Sequence, residues 1–298
     1  MHLPAIFHSR FGRMLALPCC CALCGQAAKA VVCAGCRLRY FAASGDHSDG
    51  GNEQRRRCPR CAIGLFADPA LAPGAASSRS IECGACQRDN PAYDASIAVC
   101  DYAAPADHLV LALKFADQLA LAPWMAAMLR EALLRVPAAH AVAQSGLQTT
   151  AHAALQPGSG KTTSTGAPSF PAKAAILPDV LIAVPLGQRR LAERGYNQAL
   201  EIARPLGRSL GVPVLEKLTA RIRETMAQTL VPPAQRAVNM RAAFMVRQAS
   251  QQAVQGLHVG VVDDVMTTGT TLAEMAALLK RHGARRVTNF VFARTKLE

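Results

Sequence analysis

Four pairs of cysteines spaced C-x-x-C constrain this chain more than any other feature: Cys21/Cys24, Cys33/Cys36, Cys58/Cys61 and Cys83/Cys86. Two thiolates three positions apart can both turn toward one tetrahedral ion. Eight residues separate the first two pairs and twenty-one the last two, so each half makes a four-cysteine zinc ribbon. An interleaved pairing would use the same eight ligands. Four repeats of one spacing set the pattern apart from scattered buried cysteines. A full shell of four thiolates leaves no position for water, so zinc, two ions by this count, is expected to be structural. Cys19, Cys20 and Cys100 have no spaced partner, and Cys100 reads as a small core residue.

Ten of the eleven cysteines fall before residue 90, which is knuckle chemistry for a reducing compartment rather than a disulfide framework. A cytoplasmic location is expected. Arg10 and Arg13 ahead of "MLALPCCCAL" mimic a short export signal, but Pro18 before Cys19 is a poor cleavage context. No apolar run reaches the length of a membrane span, so no membrane insertion is expected.

Residues 1–95 therefore read as a double zinc-ribbon domain. From "ASIAVCDYAA" onward, strand-like and helix-like runs alternate, and 96–298 is expected to be an α/β domain with a parallel sheet flanked by helices. "VLIAV" and "GLHVGVVDD" read as buried strands, and "RRVTNFVFA" as the last one. "DHLVLALKFADQLALAPWMAAMLREALLRV" has helical spacing interrupted by Pro123, and "NQALEIARPLGRSLG" reads as a helix kinked at Pro205. Between 138 and 178 the composition turns to Ala, Gln, Ser, Thr, Gly and Pro, as expected of a disordered insert. Its "GSGKTT" imitates part of a phosphate-binding loop. Leu155 stands where the first glycine belongs and no apolar strand precedes it, which excludes a nucleotide site there.

The formal net charge of +13 points to an anionic partner. Between residues 185 and 247, eleven Lys/Arg face four Glu, a local excess of seven. The sharpest motif is "VVDDVMTTGTTL", 261–272. In an open parallel sheet, ligands sit beyond the carboxyl ends of the strands, where helix N-termini point N–H groups outward. Asp263 and Asp264 end such a strand. Thr267, Thr268, Gly269, Thr270 and Thr271 then offer successive N–H groups and hydroxyls, a nest for a phosphate dianion. Acids that close would repel the phosphate, so they should accept hydrogen bonds from hydroxyls of an attached sugar. The combination fits a ribose 5-phosphate.

"VVDDVMTTGTTL" resembles the phosphoribosyl-pyrophosphate signature of type I phosphoribosyltransferases. Together with "VPLGQRRLAERGYNQA", "TMAQTLVPPAQRAVNMRAAF" and the cysteine knuckles, it is similar to the ComF/GntX family of competence-associated proteins. The resemblance implies a type I phosphoribosyltransferase-like sheet behind the zinc ribbons. It implies that Asp263 and Asp264 hold the ribose hydroxyls, and that Thr267, Thr268, Gly269, Thr270 and Thr271 hold the 5-phosphate. Pro185, Leu186, Gly187 and Gln188 would form the pyrophosphate loop, with Arg189, Arg190 and Arg194 neutralising charge beside a magnesium ion brought by the substrate. Residues 221–241 would correspond to the mobile loop over the site.

One departure matters. Purine-salvage members carry an aspartate where this chain has Thr267, so the acceptor is left unnamed and no general base stands out. His258 and His282 read as an ordinary strand residue and a helix-end cation. Two functions stay open: a magnesium-dependent phosphoribosyltransferase linked to DNA uptake, or a non-catalytic factor that handles single-stranded DNA and keeps the pocket as a sensor or relic. Aromatics at 5% are few for a stacking platform along a single strand.

Overall fold

The computed structural model describes residues 19–41, 57–65, 82–136, 177–222, 243–248 and 252–296. Residues 138–176 of the expected insert and 223–241 of the expected mobile loop lie outside them. Contacts divide the chain into two compact units, Met1–Ala43 and Ser44–Glu298.

In the first unit, β1 (Cys19–Cys20) pairs antiparallel with β2 (Ala27–Ala28), and α1 (Ala34–Phe41) follows. A first-turn pattern of knuckle bonds holds these short pieces together: Cys21 N–H donates to Gln26 O and Gly25 N–H to Cys21 O.

The second unit opens with 57–65 and α2 (Gly84–Asp89), which carry the second set of knuckles. Its centre is a four-stranded parallel sheet of order β3-β8-β7-β4. These strands are β3 (Ala95–Asp101), β4 (Val180–Ala183), β7 (His258–Met266) and β8 (Arg286–Arg294). The two central strands are Val- and Phe-rich and almost wholly buried, because helices cover both faces of a parallel sheet. On one face lie α3 (Ala106–Phe115), α4 (Leu121–Arg135) and α6 (Gln198–Leu210), with α5 (Gln188–Arg194) between β4 and α6. The other face receives α7 (Thr270–Arg281), the crossover from β7 to β8. A short ribbon of β5 (Thr219–Arg221) and β6 (Phe244–Val246) packs beside α7.

Pro123 behaves differently from its sequence reading. It sits in the first turn of α4, where its missing N–H has no intrahelical acceptor to lose. It marks a helix start after the break at 116–120 rather than a fault within one helix. Pro205 lies inside α6, which continues to Leu210 and stops at Gly211 in the left-handed region. Asn197 fixes the start of α6 twice: its side chain accepts from Ala199 N at 3.0 Å and donates to Val184 O at 3.0 Å, tying the helix to the end of β4. Gly207 lets this helix approach the sheet, since a Cβ there would stand 2.6 Å from Val214 Cγ2 and 2.7 Å from Val212 O.

Candidate functional site

The register of the central strands builds the site. Parallel pairing sets Asp263 beside Val291 and Met266 beside Arg294, so the carboxyl ends of β7 and β8 form one rim. Val259 and Val261 belong to the apolar cluster under α7, and strand alternation puts Asp263 on that face and Asp264 on the other. Asp264 is buried and meets Lys114 of α3, with Nζ 2.6 Å from Oδ2. This is an ion pair whose angles fall short of a hydrogen bond. Asp263 is half-buried, and its Oδ1 accepts from the Asp264 N–H at 2.9 Å. Desolvation, reinforced by the Asp264 carboxylate beside it, raises the Asp263 carboxyl well above the usual range, with Lys114 opposing.

Beyond Met266 the chain turns through exposed Thr267 and Thr268 to Gly269, whose φ of 85° lies in the left-handed region. Gly269 has no side chain to cap α7; Thr268 Oγ1 accepts from the Thr270 N–H at 3.4 Å, and the N–H groups that follow in the first turn face a ligand. The hydroxyls of Thr268 and Thr270 are hydrogen-bonded to each other at 2.8 Å. The five residues expected at a phosphate thus form one continuous turn at the helix start.

Pro185, Leu186, Gly187 and Gln188 follow β4 directly and lead into α5. A cleft of about 600 Å³ opens there, lined by Leu186, Arg190 and Arg194 on one side and by Lys114, Phe115 and Asp117 on the other. Lys114 joins this cleft to the acidic strand end. Arg194 lies 5.1 Å over the Phe115 ring and donates to Gln198 Oε1. Arg189 does not line the cleft; it pairs with Glu193 one turn on, at 2.8 Å in solvent.

Three residues at the rim escaped the sequence reading. Lys114 was visible as the one cation in the apolar run "LVLALKF", Arg294 as a charge at the end of "NFVFA", and Tyr93 not at all. Arg294 is 2% exposed and donates to Cys61 O at 2.9 Å, Met266 O at 3.1 Å and Thr295 O at 3.0 Å, and also to Thr267 O.

The eight knuckle cysteines gather in two clusters, Cys21/Cys24/Cys33/Cys36 and Cys58/Cys61/Cys83/Cys86, each with its sulfurs within 4.8 Å of one another. Among the described residues no interleaved set forms. A tetrahedral zinc with Zn–S near 2.3 Å needs sulfurs about 3.8 Å apart. Here Cys24 and Cys33 are 3.8 Å apart, Cys58 and Cys86 3.9 Å, and Cys61 and Cys83 3.5 Å. Backbone N–H groups of Cys33 and Cys83 donate to Cys21 Sγ and Cys58 Sγ at 3.3 Å each, as thiolate ligands require. Both clusters fit a structural zinc. The side-chain bond from Cys61 draws the Cys58 thiol down to about 4 against its burial, while Cys61 is pushed up in return.

His258 is buried at the opposite rim, its ring nitrogens 2.8 Å from Thr288 Oγ1 and 3.1 Å from Leu177 O. Burial, with Arg286 nearby, lowers its pKa to about 4, so it is neutral. Cys100 is half-buried and contacts Phe292 O at 3.4 Å. No helix among the described residues is long and apolar enough to cross a membrane.

Residues 196–296 match the phosphoribosyl transferase domain family. The chain is 32% identical to DNA utilization protein YhgH of Salmonella typhi, covering 80% of this chain and 84% of the relative. It is likewise 32% identical to YhgH of Escherichia coli K12, covering 90% of that protein, and 27% identical to Competence protein F of Haemophilus influenzae, over 71% of this chain and 78% of that one. A solved glutamine phosphoribosylpyrophosphate amidotransferase from B. subtilis is 22% identical over 39% of this chain and 22% of that chain, with a TM-score of 0.27. With its parallel sheet, its two cysteine clusters and these relatives, the chain belongs to the ComF family of phosphoribosyltransferase-like proteins.

Proposed function

We propose that the chain binds magnesium phosphoribosyl pyrophosphate at the carboxyl rim of its sheet and serves DNA uptake or utilization as a phosphoribosyltransferase of unnamed acceptor. The observation that carries this reading is the acidic end of β7 running straight into the helix start at Gly269. Asp263 and Asp264 accept hydrogen bonds from the ribose hydroxyls, and the turn 267–271 holds the 5-phosphate through N–H groups and threonine hydroxyls. The pyrophosphate lies on the turn 185–188, with Arg190 and Arg194 lining its cleft. Arg189 joins only by leaving Glu193, which exposed i,i+4 pairing makes easy. Magnesium, when bound, neutralises phosphate charge. The protein's own contribution is to position the sugar and to stabilise charge as pyrophosphate departs.

Residues 1–95 carry both zinc centres of this reading, the second of them packed into the core of the sheet domain, and eight thiolate ligands suit the reducing cytoplasm. The link to DNA rests on the names of the relatives and on the +13 charge. That charge also favours a second reading, a single-stranded-DNA-handling factor in which the sugar-phosphate pocket acts as a sensor.

Thermal melting separates the two. Magnesium phosphoribosyl pyrophosphate at about 100 times its Kd should stabilise by about 2.7 kcal/mol. A response to single-stranded oligonucleotide alone, fading between about 50 and 200 mM salt, would favour the DNA factor instead. No shift with the sugar phosphate would overturn the enzyme reading.

A further inference from the structure

The buried guanidinium of Arg294 links two features with no connection in sequence. Its Nε side holds the carbonyl of Cys61, within the second cysteine cluster, and its Nη1 side holds the carbonyls of Met266 and Thr267 at the start of the phosphate turn. A trans peptide points its C=O and the following N–H in opposite directions. Holding the Met266 and Thr267 carbonyls inward therefore aims the Thr267 and Thr268 N–H groups outward, toward a phosphate.

Tyr93 makes a second bridge. It is 3% exposed, packs in one cluster with Cys58, Cys61, Cys86, Met266 and Leu272, and its hydroxyl lies 3.1 Å from where a Cβ at Gly269 would be. Charge complements the geometry, because a zinc ion with four thiolates is net negative and Arg294 is the buried cation beside it.

We propose that Arg294 is a positioning residue that couples metal occupancy of the Cys58/Cys61/Cys83/Cys86 cluster to ligand binding at the turn 267–271. The proposal rests on the phosphoribosyl-pyrophosphate reading of that turn. Losing the metal frees the knuckle holding Cys61, and the guanidinium then loses an acceptor it cannot replace from water. The carbonyls it holds are released with it, and the outward N–H groups lose their aim. Coupling is reciprocal, so a bound ligand must hold this metal as firmly as the metal holds the ligand's site.

The test follows zinc leaving the full-length protein in excess chromogenic chelator, with and without magnesium phosphoribosyl pyrophosphate. The ligand should slow release of the zinc in the second cluster about fivefold or more, and leave the first cluster's rate unchanged. Arg294→Met should retain zinc at the start of the assay but release it at a rate independent of ligand. Should that variant fail to fold, Arg294→Lys keeps the charge without the fork that spans both acceptors, and its ligand effect should shrink toward none. A ligand that raises the melting temperature yet alters neither release rate overturns the coupling and leaves the binding reading intact. A melting temperature unmoved by ligand overturns both.

Discussion

Asp263 and Asp264 are chain neighbours with opposite electrostatic surroundings. Asp264 has a cation within 2.6 Å, whereas Asp263 has burial and a neighbouring carboxylate. Asp263 therefore keeps its proton in the folded state above the pH, near 3.8, at which an ordinary aspartate releases it. The folded state then binds more protons than the unfolded one, and stability falls as pH rises from there. Asp263→Asn removes this loss. Calorimetry of the unliganded protein should find the variant gaining on wild type as pH climbs from about 4 toward neutrality. A gap that narrows would contradict the assignment. Asp264→Asn should do the reverse, destabilising by about 1–3 kcal/mol because Lys114 loses its partner. Either change should weaken phosphoribosyl-pyrophosphate binding in titration, Asp264→Asn at least about tenfold through a lost charge-assisted hydrogen bond. The doubled acid was legible in the sequence because its oddity is local. The partner Lys114 was not, because 150 residues of chain separate it from Asp264 and only the docking of α3 on the sheet joins them.

At the scale of elements, the turn before α7 concentrates the constraints. A Cβ on Gly269 would sit 2.6 Å from Met266 Cε and would be held at a φ of 85°. Gly269→Ala should cost about 1–2 kcal/mol from backbone handedness alone, more if Met266 cannot move aside. Urea unfolding measures that loss, and titration should record a weaker ligand in parallel. A variant of unchanged stability would mean the turn is looser than its geometry. The long apolar strands and the amphipathic α7 were readable from pattern, since burial imposes a period on every residue they contain. β5 and β6 were not. Each has three residues, joined through a segment with no period, and what defines them is their pairing with each other and the packing of β6 on α7.

For the whole molecule, the sequence grouped all four knuckle pairs into one stretch, whereas contacts assign the second cluster to the same unit as the sheet. Cys58, Cys61 and Cys86 are buried with Val261, Leu272 and Met275, so this cysteine cluster belongs to the core that seats α7. Spacing reveals ligands but not what they pack against. Deleting residues 138–176 should leave both folding and phosphoribosyl-pyrophosphate affinity within about twofold of wild type, because their composition offers little large apolar side-chain area to offset the entropy of ordering them. A deletion that lost either would show that the segment completes the fold. The reason lies in where the chain departs and returns. It comes back at Leu177, whose carbonyl meets His258 at the first residue of β7, while the acids and the threonine turn stand at the other end of that strand. On the proposed function the sheet thus has a working rim and a service rim, separated by the full length of β7. Fluorophores, affinity handles or tethers to a solid support can be spliced in at the service rim while the opposite edge is left free to meet its ligand.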